Sequence, residues 1–113
     1  MVDDEEELVT ALAERLSYRG IEADWSTTGA LALELAAENP YDVAVLDVKM
    51  PNISGIELKK RLEKTRPDMR YIFLTGHGSE EDFKVGSAEA SRYLAKPLDI
   101  DLLIEAMEQA VTQ

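Results

Sequence analysis

Apolar residues recur with a helical period from Glu5 to Arg19, where Leu8, Val9, Leu12, Ala13 and Leu16 share a face, acids fill the first turn and Arg15 and Arg19 the last. Gly20 stops that helix. Ile21 to Trp25 alternates as a short strand, and Thr27 or Thr28 caps a second helix that runs to about Glu38 and ends at Asn39-Pro40. Val43-Ala44-Val45-Leu46 is continuously apolar and too short for a helix, which predicts a strand buried on both faces of a parallel sheet. A third helix is predicted from about Gly55 to Thr65, with Ile56, Leu58 and Leu62 inward and its cations late. Tyr71-Ile72-Phe73-Leu74 repeats the buried-strand pattern, and Thr75-Gly76-His77-Gly78-Ser79 follows as a turn. Ser79, with Asp82 three residues on, caps a helix from Glu80 to about Ala90, the weakest of the set because Gly86 lies inside it. A strand at Arg92 to Ala95, the dipeptide Lys96-Pro97 and an amphipathic helix from Asp99 to about Thr112 complete the pattern.

Strands alternating with helices predict an α/β domain, a parallel sheet wound right-handedly. In such folds function collects beyond the carboxyl ends of the strands. The chain has 113 residues, the size of one domain, and we read residues 1–113 as a single unit without repeats or linkers. Lys and Arg number 12 against 23 Asp and Glu, and the formal charge of −11 argues against a nucleic-acid partner, whose phosphates would be repelled. With 45% hydrophobic and 31% charged residues the composition is globular. The absence of Cys removes disulfides, zinc-thiolate sites and thiol catalysis, so a bound metal would be held by oxygen. No apolar run approaches the roughly 18 residues of a membrane span, and Met-Val-Asp-Asp-Glu-Glu-Glu has no signal-peptide character, so the expectation is a soluble, cytoplasmic protein with no membrane partner.

The polar residues at the strand ends carry the chemistry. Asp3 and Asp4 follow the vestige of a first strand, Asp47 the third, Thr75 the fourth and Lys96 the fifth, and parallel strands put all these ends on one edge. Carboxylates gathered there repel one another unless a cation joins them, and a hard divalent ion such as Mg²⁺ suits oxygen ligands. Thr75 adds a hydroxyl and Lys96 a mobile positive charge, which with the metal could hold the oxygens of a phosphoryl group on Asp47.

Asp3-Asp4-Glu5, Val45-Leu46-Asp47-Val48-Lys49-Met50-Pro51 with Gly55, Leu74-Thr75-Gly76 and Tyr93-Leu94-Ala95-Lys96-Pro97 together give the chain a pattern that resembles the receiver domain of two-component response regulators. The resemblance covers essentially the whole chain. It implies a flavodoxin-like, doubly wound five-stranded parallel sheet of order 2-1-3-4-5, the strand order of receiver proteins with this fold. It implies that Asp47 accepts a phosphoryl group from a sensor histidine kinase or histidine phosphotransferase, and that Asp4 and Asp47 with the backbone carbonyl of Lys49 ligate Mg²⁺, Asp3 mainly through water. Lys96 and Thr75 would bind the phosphoryl oxygens, a cis Lys96-Pro97 bond would aim the Lys side chain, and Tyr93 would turn inward with Thr75 as a switch. An output domain or target protein is the implied partner, with a phosphorylation-dependent homodimer as a further one. Two departures stand out: only Met1 and Val2 precede Asp3, where an ordinary strand has about 5 residues, and Ala90-Ser91 replaces Gly-Ala before Tyr93.

Each of these residues also has a plainer reading. Asp3 to Glu7 in isolation is an acidic first helical turn, Asp47 a turn cap, Thr75 a turn hydroxyl, Lys96 a surface lysine and Tyr93 a packing aromatic; their joint placement at strand ends outweighs those readings. His77 reads as a loop residue or as a group that tunes phosphoaspartate hydrolysis, Trp25 as packing, and Leu102, Leu103, Ala106, Met107 and Ala110 as core with an outer edge available to a dimer. Two other functions compete. A haloacid-dehalogenase-like phosphatase also uses a strand-end Asp, Mg²⁺, Thr or Ser and Lys, but needs an acid two positions after the nucleophile, where this chain has Lys49. A receiver-like interaction module that is never phosphorylated finds support only in the short first strand. The leading expectation is a switch whose phosphoryl transfer is self-catalysed, with no external substrate turned over.

Overall fold

The computed structural model describes residues 1–76 and 92–112, and the expected helix from Glu80 to Ala90, its Ser79 cap, Ala90-Ser91 and His77 lie outside them. Helix α1 (Glu6–Tyr18) buries Val9, Leu12, Ala13 and Leu16, as its period predicts. It closes at Gly20, which sits at φ 78°. The Ile21 amide donates to Leu16 O at 3.0 Å and the Gly20 amide to Ser17 O at 3.1 Å, a Schellman closure that satisfies the last carbonyls and favours glycine at the left-handed position.

Helix α2 (Gly29–Glu38) is capped by Thr28, whose hydroxyl accepts the Leu31 amide at 3.2 Å. Its far end is held by Arg66, whose Nε donates to Ala36 O at 2.8 Å. Strand β1 (Val43–Asp47) leads into helix α3 (Gly55–Thr65), capped by Ser54, and strand β2 (Arg70–Thr75) follows. Strand β3 (Arg92–Ala95) precedes helix α4 (Ile100–Val111), where Asp99 Oδ1 accepts the amides of Asp101 and Leu102 at 2.8 and 3.3 Å.

Strands β1, β2 and β3 pair in parallel in that order, with Val45 opposite Ile72, Leu46 opposite Phe73 and Thr75 opposite Ala95. The first two places of the expected 2-1-3-4-5 order are reduced to single parallel bridges, from Val2 to Ser26 on one side and to Leu46 on the other. The expected strand from Ile21 to Trp25 therefore forms no ladder. Beside it, the Ser26 amide reaches Met1 O at 2.9 Å and the Asp3 amide reaches Ser26 O at 3.2 Å. The segment at Val2 is not loose: Val2 also donates to Val45 O at 2.8 Å and accepts from the Asp47 amide at 2.9 Å.

Alternation along the buried strands feeds two cores. Ala44, Leu46, Tyr71 and Phe73 meet Ala32 and Ala36 of α2 and Ile56, Leu58 and Leu62 of α3 on one face. Val45, Ile72 and Leu74 meet Leu16 of α1 and Leu103 and Ala106 of α4 on the other. Helices on both faces explain why these strands read as unbroken apolar runs. Two packing assignments need correction. Leu102 is 55% exposed, because it sits one position off the stripe of Leu103, Ala106 and Ala110, and Trp25 is 38% exposed beside the single bridge at Ser26. Truncating fully buried Leu46 (Leu46→Ala) is expected to lower the unfolding free energy by about 2–5 kcal/mol in urea denaturation, whereas Leu102→Ala shifts it by no more than about 0.5 kcal/mol.

Candidate functional site

The carboxyl ends of the parallel strands share one edge, and the side chains there are largely taken from water. Asp3 is 1% exposed and Asp47 5%. Asp3 stays there because the bridge at Val2 fixes its backbone and because its Oδ1 accepts the Glu5 amide at 2.9 Å, at the head of α1. Asp47 is the last residue of β1, held on one side by β2 and on the other by Val2. Asp4 is exposed, and one oxygen of each of Asp3, Asp4 and Asp47 falls within a mutual distance of 4.8 Å.

Lys96 reaches this group from the end of β3. Its Nζ lies 2.8 Å from Asp3 Oδ2, 3.2 Å from Glu5 Oε1 and 3.4 Å from Asp47 Oδ1. Among the described residues Asp3 Oδ2 receives no well-directed hydrogen bond despite that close ion pair, so a buried carboxylate oxygen retains coordinating capacity. A hard cation bound by oxygen fits such a donor set. The Lys96-Pro97 peptide is cis, as the resemblance implies.

Electrostatics follow from the burial. Desolvation, reinforced by the charge on Asp3, raises the Asp47 carboxyl to about 6, with Lys96 pulling the other way. Burial also acts to lower the Lys96 ammonium, but Asp3, Asp47 and Glu5 outweigh it and hold it above the ordinary lysine range.

Gly55 explains how the loop after β1 stays close. Its amide donates to Val48 O at 2.9 Å, and a Cβ at this position would overlap the Asp47 carbonyl oxygen. The start of α3 is thereby laid against the strand that carries Asp47. Asn52 takes the left-handed turn within that loop at φ 72°.

The remaining residues singled out from the sequence are placed more variously. Thr75 lies at the end of β2, with its hydroxyl donating to Leu94 O at 3.4 Å and so turned toward β3 in this structure. Lys49 is exposed in the loop after Asp47. Tyr93 is half-buried, its ring 5.3 Å from that of Phe73. Glu5 is the contact that sequence reasoning left without a role, although it directly follows the acid pair.

The family model described as the response regulator receiver domain matches residues 1–108. The chain belongs to that family. It is 34% identical to the uncharacterized transcriptional regulatory protein YkoG of Bacillus subtilis over 114 aligned residues, which cover all of this chain and 50% of YkoG. The chain thus spans about half the length of that curated relative. Among solved structures, a response regulator receiver domain protein from Clostridium thermocellum superposes with a TM-score of 0.91 at 31% identity, covering 98% of this chain and 90% of that one. A response regulator protein from Burkholderia pseudomallei, solved with a phosphorylated aspartic acid, a calcium ion and citrate, gives a TM-score of 0.83 at 28% identity, covering 98% and 66% of the two chains. This receiver domain therefore has the flavodoxin-like fold, and no helix among its described residues is long and apolar enough to cross a membrane.

Because the folded-state value of Asp47 lies above the ordinary carboxylate value of 3.8, the folded domain binds this proton more tightly than the unfolded chain. Its contribution to stability is present below pH 3.8 and is lost as pH rises toward about 6. Without divalent cations, Asp47→Asn is expected to gain stability over the wild type progressively from pH 4 to pH 7, measured as the difference in urea midpoints; a difference that stays constant across that range contradicts the assignment.

Proposed function

We propose that this receiver domain accepts a phosphoryl group on Asp47 in a Mg²⁺-dependent reaction and passes the change to the surface of its C-terminal half. The supporting observation is the convergence of Asp3, Asp4 and Asp47, with ligand oxygens within 4.8 Å of one another, beside the Lys96 ammonium 3.4 Å from Asp47. Asp3, Asp4 and Asp47 with the backbone carbonyl of Lys49 would hold the metal, which when bound supplies positive charge to the phosphoryl oxygens. The Asp47 carboxylate attacks phosphorus, the bond from phosphorus to the donor's histidine nitrogen breaks, and that nitrogen leaves as a neutral ring after protonation. Lys96 and Thr75 take the oxygens of the resulting acyl phosphate. Burial beside Lys96 makes the carboxylate both a desolvated nucleophile and a neighbour of a fixed counter-charge.

The donor in this reading is a sensor histidine kinase or a histidine phosphotransferase in the cytoplasm, and the domain turns over no external substrate. The Burkholderia relative carries a phosphorylated aspartic acid, which supports the same chemistry here. Thr75 and Tyr93 lie on adjacent strands β2 and β3, so a Thr75 hydroxyl that leaves Leu94 O for the phosphoryl group would disturb the backbone next to Tyr93. That coupling would reach an output domain, a target protein or a second copy. The alternative of an unphosphorylated interaction module drew on the short first strand, and the anchoring of Asp3 through Val2 weakens that argument.

Intact-mass measurement tests the proposal. With Mg²⁺ and acetyl phosphate the domain should gain one phosphoryl group, Asp47→Asn should gain none, and Lys96→Ala should react on the order of a hundredfold more slowly. Equal labelling of the wild type and Asp47→Asn contradicts the choice of acceptor.

A further inference from the structure

Glu5 occupies the N-cap position of α1, but its side chain makes no cap hydrogen bond. It extends instead toward Lys96, whose ammonium donates to Glu5 Oε1 at 3.2 Å. That ammonium has two further anionic neighbours, Asp3 Oδ2 at 2.8 Å and Asp47 Oδ1 at 3.4 Å. The three acids differ in freedom. The side chains of Asp3 and Asp47 are 1% and 6% exposed and sit on backbone held by the sheet, whereas that of Glu5 is 63% exposed. Glu5 is the acceptor that can swing away by a rotamer change at the surface, without opening the core.

A phosphoryl group on Asp47 brings new anionic oxygens that need the same ammonium. We infer that Glu5 is a positioning residue that holds Lys96 in the unmodified domain and competes with the phosphoryl group for it. The inference rests on the phosphoryl-acceptor reading of Asp47. Two effects act in the same direction. The Glu5 carboxylate opposes the approach of an anionic donor, and its hydrogen bond to Lys96 must break before the ammonium serves the phosphoryl oxygens. Glu5 thus restrains the rate of phosphorylation, and an uncharged residue in its place releases that restraint.

The test compares wild type, Glu5→Gln and Glu5→Asp at saturating Mg²⁺. The second-order rate constant for phosphorylation by acetyl phosphate is read from intact mass, and thermal unfolding checks that all are folded. Glu5→Gln should react about two- to fivefold faster than the wild type, the range that an exposed ion pair carries, and Glu5→Asp should stay near the wild-type rate. Raising the salt to about 0.5 M should close the gap, because it screens a surface pair far more than a buried one. A purely structural role for Glu5 would show in the unfolding temperature and would not produce a gap that salt removes. Glu5→Gln reacting at the wild-type rate or more slowly, or a gap indifferent to salt, overturns the inference while leaving Asp47 as acceptor. Failure of the wild type to gain a phosphoryl group overturns the acceptor reading and this inference with it.

Discussion

Everything at the carboxyl edge of the sheet depends on one ammonium group among buried carboxylates. Asp3 and Asp47 are almost fully withdrawn from water, and two such charges side by side are costly unless a cation stands between them. Lys96, 2.8 Å from one and 3.4 Å from the other, is that cation. The compensation is incomplete, as the raised pKa of Asp47 records, and the site retains a net demand for positive charge. The same imbalance that weakens the fold at neutral pH leaves the acidic cluster of Asp3, Asp4 and Asp47 with more negative charge than Lys96 neutralises. Site chemistry and fold stability are thus coupled through a single local charge deficit.

The architecture is what brings these groups together from distant points in the chain. Val2 bridges Ser26 and Leu46, so a stretch of very few residues is locked into the middle of the sheet and delivers Asp3 beside Asp47. The two hydrophobic layers clamp β1 and β2 from both faces and fix the carboxyl ends from which Asp47 and Thr75 project. Gly55 lets the head of α3 lie against the Asp47 carbonyl, which keeps the loop after β1 close to the acids. A side chain at that position would push α3 away from the strand that carries Asp47.

Much of this was legible in the residues themselves. The strands at Val43 to Leu46 and Tyr71 to Leu74 could be read because burial on both faces removes polar positions altogether, and the start of α2 at Thr28 because its hydroxyl can accept an amide of the first turn, whereas the caps at Ser54 and Asp99 emerge only from the structure. Asp3, Asp4, Asp47 and Lys96 were legible because parallel strands align their ends. Other features depend on partners that a local pattern does not reveal. Ile21 to Trp25 alternates like a strand, yet the only parallel bridge formed there among the described residues is that of Ser26 to Val2. Leu102 has the right residue type for the core and the wrong angle on α4. Glu5 looked like one more acid of a first helical turn, and only the position of Lys96, remote in sequence, gives it a contact. The direction of the Thr75 hydroxyl toward Leu94 is likewise set by the neighbouring strand.

Under the proposed function, the unbalanced negative charge at the carboxyl edge serves a divalent cation. A titration with Mg²⁺ followed by backbone amide NMR addresses it directly. Saturable shifts confined to Asp3, Asp4, Asp47 and the loop through Gly55, and lost in Asp47→Asn, are expected. Shifts that are absent, or that spread over the acidic surface and persist in Asp47→Asn, would contradict it.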